Sequence, residues 1–434
     1  MSKKLIAFIS ILSLTLSLPL MPVNAAVKAG ATCKTAGTTS VATGETYTCI
    51  KSGKKLVWKI SRKNHESSLP QITEKSVFDN VSKCMVKTKL IDEANMGFPI
   101  SSIYLKSTGI VNLAVIYTTY TDAPGDDRAF KEYSEVQFPN AAKFYSNSSY
   151  GKLGLTLTTN NKYYNIPKSS ASYNLEAMNQ TSNFAGVAED AVNAAKNDYD
   201  FSKIDAIFIV MPSTSKAVDL GAFGTNIQLG NKGFYQAMNG AFINPSTKVR
   251  VHERYLTHEI GHNFGLIHPL LQDRGYALSV MHWEQSPVSD LFGWEKFLLN
   301  WIELDQVDCL AVIPTSKITS YVEGTGIKSR NKKLMVIKIS EHKLLVIESR
   351  RKSELDDLTQ KEEGLLLYKV DLDLGSDKGT VELITNGSPI KNFNGQTLLV
   401  GTFQEGESIS VDGIQVKVLK QGVMGDFFSV NKVQ

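Results

Sequence analysis

Apolar and polar positions follow two different patterns along this chain, and the change falls near residue 315. Before it, Val111-Asn112-Leu113-Ala114-Val115-Ile116-Tyr117 and Ala206-Ile207-Phe208-Ile209-Val210 are short, nearly unbroken apolar runs, as expected of strands buried on both faces. Leu153 to Thr158 alternates with period two, predicting another strand. Residues 128–145 and 174–196 carry apolar side chains at helical spacing, with Pro139 marking a break in the first. Strands alternating with helices predict an α/β layer architecture over 80–310. After residue 315, Lys333 to Ile339, Lys343 to Glu348, Gly364 to Val370 and Thr397 to Phe403 read as strands divided by turn residues. Ile409-Ser410-Val411-Asp412-Gly413-Ile414-Gln415-Val416 reads as a hairpin, because Asp-Gly tolerates the positive φ of a two-residue turn. Residues 315–434 are therefore expected to form a β-rich, sandwich-like domain. No internal repeat is evident.

The first 25 residues read differently. Lys3 and Lys4 precede an apolar run from Leu5 to Leu20, and Pro19, Pro22 and Val23-Asn24-Ala25 follow. That order is a secretory signal with cleavage after Ala25, and the run is short for the about 20 residues of a membrane span. The expected product is secreted and extracellular, with no span left after cleavage. The 434 residues, 42% hydrophobic and 21% charged, match a globular chain of several domains. Formal charge is +4 and falls to +2 without Lys3 and Lys4, too weakly basic for a nucleic-acid binder. The charge is unevenly spread. Residues 26–65 carry Lys28, Lys34, Lys51, Lys54, Lys55, Lys59, Arg62 and Lys63 against Glu45 alone, so this segment is +7 and the rest of the mature chain −5. Cys33 and Cys49 lie in it 16 residues apart, suggesting a small disulfide-closed β module. Its charge could hold the protein to an anionic cell-envelope surface or serve as a solubilising spacer.

Candidate chemistry lies in eleven residues. Five of the seven histidines fall between His252 and His282, three of them in His258-Glu259-Ile260-Gly261-His262-Asn263-Phe264-Gly265-Leu266-Ile267-His268. On a helix, residues four apart share a face, so His258 and His262 point the same way. Neutral imidazoles at that spacing bind Zn²⁺ at about 2.0–2.1 Å. Gly265 can take the left-handed conformation that ends a helix, letting the chain return with His268 as third ligand. Three nitrogens and an open position describe a catalytic zinc site, and Glu259 beside the first ligand supplies a carboxylate. The pattern would arise by chance in such a chain with probability on the order of 10⁻⁵.

This elongated motif resembles that of the metzincin metalloproteases. Residues 258–268 look most like gametolysin, and the surrounding chain is similar to immune inhibitor A-like secreted peptidases. The second likeness rests on Ser149-Tyr150-Gly151-Lys152-Leu153, Asp200-Phe201-Ser202-Lys203-Ile204-Asp205 and Gly293-Trp294-Glu295-Lys296-Phe297-Leu298-Leu299-Asn300-Trp301. Gly364-Leu365-Leu366-Leu367-Tyr368-Lys369-Val370 extends it into the β-rich region. The resemblance implies an α+β protease domain with a mixed sheet and a zinc-binding helix, acting on protein or peptide substrates. It also implies a methionine turn beneath the metal, for which Met281, 13 residues after His268, is the candidate. Some relatives place a tyrosine two residues after that methionine. Here Trp283 stands there and cannot ligate, which leaves stabilisation of an oxyanion to the metal alone, or to His282 or Tyr276. The implied mechanism is peptide hydrolysis by zinc-activated water with Glu259 as general base.

Cys84 and Cys309 bracket the α/β region. In an oxidising compartment they are expected to pair, the alternative being Cys84 as an inhibitory thiolate on the zinc. Asp122, Asp126 and Asp127 could bind Ca²⁺ but lack a recognised loop spacing. Two other function classes remain open: an envelope-binding or adhesion protein with a vestigial protease domain, and a zinc hydrolase of a non-peptide bond. No G-x-S-x-G sequence competes with the histidine motif.

Overall fold

A computed structural model describes residues 27–42, 45–62, 69–90, 95–125, 128–175, 183–216, 222–228, 232–239, 253–271, 278–313, 315–386, 390–393 and 396–433. The leader at 1–25, Lys63, Asp126, Asp127, His252, Gly275 and Tyr276 lie outside the described residues. The chain divides into two compact units, 1–69 and 70–434.

The first unit is an antiparallel three-stranded sheet of β1 (Thr39–Ala42), β2 (Glu45–Ser52) and β3 (Lys55–Arg62). Gly53, at φ +62°, makes the tight turn between β2 and β3, a conformation that favours glycine. A disulfide joins Cys33 to Cys49 of β2, and Cys49 and Tyr47 are buried. Lys28, Lys34, Lys51, Lys54, Lys55 and Lys59 are exposed.

The second unit has a mixed α+β architecture. Its first layers are built by β4 (Gly109–Thr119), α1 (Arg128–Lys131), a wide π turn (Glu132–Gln137), α2 (Phe138–Ser148), β5 (Leu153–Asn165), α3 (Phe184–Ala195), β6 (Ala206–Met211), β7 (Ala222–Gln228) and β8 (Lys232–Asn239). The sheet order is β5-β4-β6-β8-β7, parallel except for the antiparallel edge strand β7. Pro139 does not stop the helix; it falls in the first turn of α2, where the wider π winding gives way to α winding. The apolar run of β4 is continuous because both faces are covered. Val111, Leu113, Val115 and Tyr117 pack with Phe144 and Tyr145 of α2, while Ala114 and Ile116 pack with Val187, Ala191 and Val192 of α3.

On the α2 side of this sheet lies α4 (Tyr255–Asn263), whose Tyr255, Leu256 and Ile260 join the same core. After it come α5 (Gly293–Leu298), β9 (Val307–Leu310), β10 (Ile318–Glu323), β11 (Leu334–Lys338), β12 (Lys343–Arg350), β13 (Gly364–Asp371), β14 (Val381–Ile384), β15 (Ile390–Phe393), β16 (Gln396–Leu399), β17 (Ser408–Val411), β18 (Ile414–Gln421) and β19 (Gly425–Lys432). The run expected at Thr397 to Phe403 is strand only to Leu399, in a small hairpin of β15 and β16. The hairpin of β17 and β18 turns at Asp412 and Gly413, both at positive φ.

Two further sheets follow, ordered β10-β19-β18-β17 and β14-β13-β12-β11-β9. Side-chain alternation gives the five-stranded sheet two apolar faces. Met335, Ile337, Leu345, Ile347 and Leu367 share a core with Val416, Val418, Phe428 and Val430 of the four-stranded sheet. Leu334, Val336, Leu344, Val346 and Leu366 pack instead against Phe292, Trp294 and Phe297 around α5. This second contact makes the α/β and β-rich regions one compact unit. Cys309 of β9 is disulfide-bonded to Cys84, and both are fully buried, so Cys84 is paired rather than a free thiol. Closing a loop of 225 residues contributes several kcal/mol in a chain-entropy account. No helix among the described residues is long and apolar enough to cross a membrane. Two disulfides fit an oxidising environment.

Candidate metal centre

The site starts from the way α4 is held and ended. Gln137, in the π turn, accepts a hydrogen bond from the Leu256 backbone N–H in the first helical turn, at 3.1 Å. The Tyr145 hydroxyl of α2 donates to the Thr257 carbonyl at 2.7 Å. Gly265 adopts φ +86°, its N–H donating to the His262 carbonyl (2.9 Å) while the Leu266 N–H donates to the Gly261 carbonyl (3.1 Å). This pair of bonds is a Schellman end, and it turns the chain back as the glycine spacing predicts. A side chain at Gly265 would also run into Tyr104 and Ile100.

His258, His262 and His268 come together by this turn. The Nε2 atoms of His258 and His268 are 3.0 Å apart, and those of His262 and His258 are 3.2 Å apart. Each ring is fixed from outside through its other nitrogen. His258 Nδ1 donates to the Val280 carbonyl at 2.8 Å, and His262 Nδ1 donates to the Leu266 carbonyl at 2.9 Å. His268 Nδ1 donates to the Asp377 carboxylate, 3.0 and 3.1 Å from its two oxygens. A carbonyl or carboxylate can only accept, so each Nδ1 carries the proton and each Nε2 keeps its lone pair. Burial, with a smaller contribution from the neighbouring imidazoles, lowers His258 to about 4 and His262 to about 3. Both rings are thus neutral and able to ligate at neutral pH.

The donor set fits zinc. A tetrahedral ion at about 2.0–2.1 Å from each nitrogen needs ligand nitrogens about 3.3–3.4 Å apart, close to the spacing observed. Among the described residues, these three alone form such a cluster, and Asp377 is spent on Nδ1 rather than added as a fourth ligand. With no fourth side chain joining them among the described residues, the three nitrogens leave a coordination position for water or substrate.

Glu259 follows His258 on α4 and is 93% buried, its exposure being 7%. Met281 lies under the helix: a side chain built at Gly261 would overlap its sulfur, so the glycine in the motif makes room for Met281. Ser279, at φ +63°, starts the turn carrying Met281, and the backbone N–H groups of His282 and Trp283 both donate to its carbonyl. His282 is buried, its Nδ1 has no hydrogen-bond partner, and burial followed by repulsion from His268 lowers it to about 4. Trp283 packs on the core around α5. Below the turn, Glu295 is fully buried and burial pushes it up to about 8, although the Phe292 N–H and Ser279 hydroxyl donate to it.

Of the suggested calcium residues, Asp126 and Asp127 lie outside the described residues, and Asp122 is bonded to a neighbouring turn. Asp122 accepts from the Ser170 N–H and from the hydroxyls of Ser169 and Ser170, at 2.7–3.0 Å. Burial opposes its ionisation, but these bonds outweigh it and lower Asp122 to about 2. Sequence reasoning missed Gln137, which caps α4, and Asp377, which lies 109 residues from its histidine. No spacing rule connects residues so far apart. No protein-family model matches the chain, and no curated protein matches it in sequence.

Proposed function

We infer that this chain is a zinc-dependent endopeptidase of metzincin type, exported from the cell. The observation that carries the reading is the convergence of three Nε2 lone pairs on one point while every Nδ1 is bonded outward. The mixed sheet beneath α4 and Met281 under Gly261 support the same reading. The facing sheets after residue 315 suit a β-sandwich-like domain.

His258, His262 and His268 would hold the ion, which when bound supplies Lewis acidity to water and to a peptide carbonyl. Glu259 serves as general base: its carboxylate takes a proton from water and delivers it to the leaving amine. Burial of Glu259 keeps bulk water from competing for those protons. No covalent attachment to the protein is required. The exposed lysines of residues 26–65 suit attachment to an anionic envelope surface.

The test is metal analysis of protein prepared without chelator, paired with digestion of casein. About one zinc per chain and chelator-sensitive cleavage are expected. Zinc without cleavage of any peptide would turn the reading toward another hydrolysable bond; absence of zinc would end it.

A further inference from the structure

His268 differs from the other two ligands in what holds it. His258 and His262 are fixed by the α4 backbone and by carbonyls close to the helix. His268 lies beyond the helix end, and its support comes from the turn between β13 and β14. Asp377 accepts from Nδ1 through a carboxylate 3.0 and 3.1 Å away. The Asp377 N–H donates to the His268 carbonyl at 3.1 Å, and the Ser376 hydroxyl accepts from the His268 N–H at 3.2 Å. Val381 N–H continues the clamp by donating to the Pro269 carbonyl at 2.8 Å. Two consecutive residues therefore grip His268 by backbone and ring alike.

Asp377 sits at φ +60°, a left-handed conformation that aspartate and asparagine adopt more readily than other side chains. Thr380 holds the turn from within by donating to the carbonyls of Leu374 and Gly375. The pair is partly open to solvent, His268 at 26% and Asp377 at 47%, and such pairs contribute little to folding stability. Its value is orientation: a carboxylate on Nδ1 fixes the tautomer and the ring plane and makes Nε2 more basic.

We propose that Asp377 is a positioning residue for the third metal ligand, and that the β13–β14 turn is a wall of the metal centre. This rests on the zinc reading above. It makes the β-rich region part of the site, not an appendage to it.

The experiment measures zinc affinity of the full chain by chelator competition for wild type, Asp377→Asn and Asp377→Ala, with the absorption of the cobalt-substituted forms. Asparagine tolerates the left-handed conformation, so Asp377→Asn removes the charge while keeping the backbone, and it decides the matter if Asp377→Ala misfolds. We expect about 10-fold weaker binding for Asp377→Asn, up to about 100-fold for Asp377→Ala, and an altered cobalt spectrum. The Tm of the metal-free protein should move by no more than about 2 °C, which a purely structural role would not allow. Zinc in the wild type with unchanged affinity in both variants overturns this inference alone. No zinc in the wild type overturns it together with the reading it rests on.

Discussion

The three imidazoles and the charges around Arg350 are both polar clusters inside the same compact unit, yet their bonds run in opposite directions. Around Arg350 every charge finds its partner within the cluster. Its guanidinium donates to Glu348 at 2.6 Å and to Asp356 at 2.9 Å, all three being fully buried. Lys296 donates to Asp290 at 2.5 Å, and Asp290 also accepts from Ser148. Glu348 accepts as well from Tyr368 and from the Gly293 N–H. Such a cluster is complete as it stands, and it fastens α5 and its flanks to β12 and β13. The imidazoles are satisfied outward, while their acceptors face one another. An inward-facing set of lone pairs calls for a cation; an inward-paired set of charges does not. Direction of pairing, more than burial, separates the candidate metal centre from the structural cluster.

Four measurements would break or sharpen this contrast. The largest expected effect is in Glu259→Ala, which should keep about one zinc per chain while losing about 10²–10⁴-fold in peptide hydrolysis. Activity near wild type would move the base elsewhere, with His282 next in line. In the structural cluster, Arg350→Met leaves Glu348 and Asp356 buried without their cation, and unfolding experiments should find about 3–5 kcal/mol of lost stability. Zinc content per folded molecule should be unchanged; a parallel loss of zinc would show that the clusters are energetically one.

Acid should act mainly on the imidazoles. Their folded pKa values, about 4 for His258 and about 3 for His262, lie below the ordinary 6.5. Between these limits the unfolded chain binds protons that the folded one refuses, so stability of the metal-free protein falls as pH is lowered from 6.5 toward 4. At least about 1.4 kcal/mol per imidazole is expected over that window. Flat urea-unfolding free energies across it would show that the rings stay solvated and protonate freely in the folded chain. The smallest effect concerns the first unit. A chain beginning at Pro70 should cleave casein at the wild-type rate but bind cell-wall preparations less well at low salt, the difference vanishing near about 1 M as charges are screened. Equal binding by both chains would leave the lysines a spacer.

What was readable in the sequence divides along the same line. Three ligands within eleven residues, joined by one helix and one glycine turn, are governed by local geometry and stand out as a pattern. The buried strands were equally legible, since a run such as Leu113 to Tyr117 can only be covered on both sides. Glu348 and Arg350 were hidden because charged residues at the end of a strand look solvated until α5 and the 290–296 segment are packed over them. The two-faced burial of the five-stranded sheet was missed for that reason, since the covering layer comes from before residue 310. Asp377 is one aspartate in a polar turn, and only tertiary structure tells it from its neighbours.

The bond between Cys84 and Cys309 has a topological consequence. It closes a covalent ring containing α4, all three ligand histidines and Met281, while the turn bearing Asp377 stays outside. One cut anywhere in that ring opens it without freeing a fragment; release requires a second cut or reduction of a disulfide with no solvent-exposed surface. A single nick in that ring therefore costs chain continuity but not chain mass. The molecule would reveal such a history only when its parts are separated under reducing conditions.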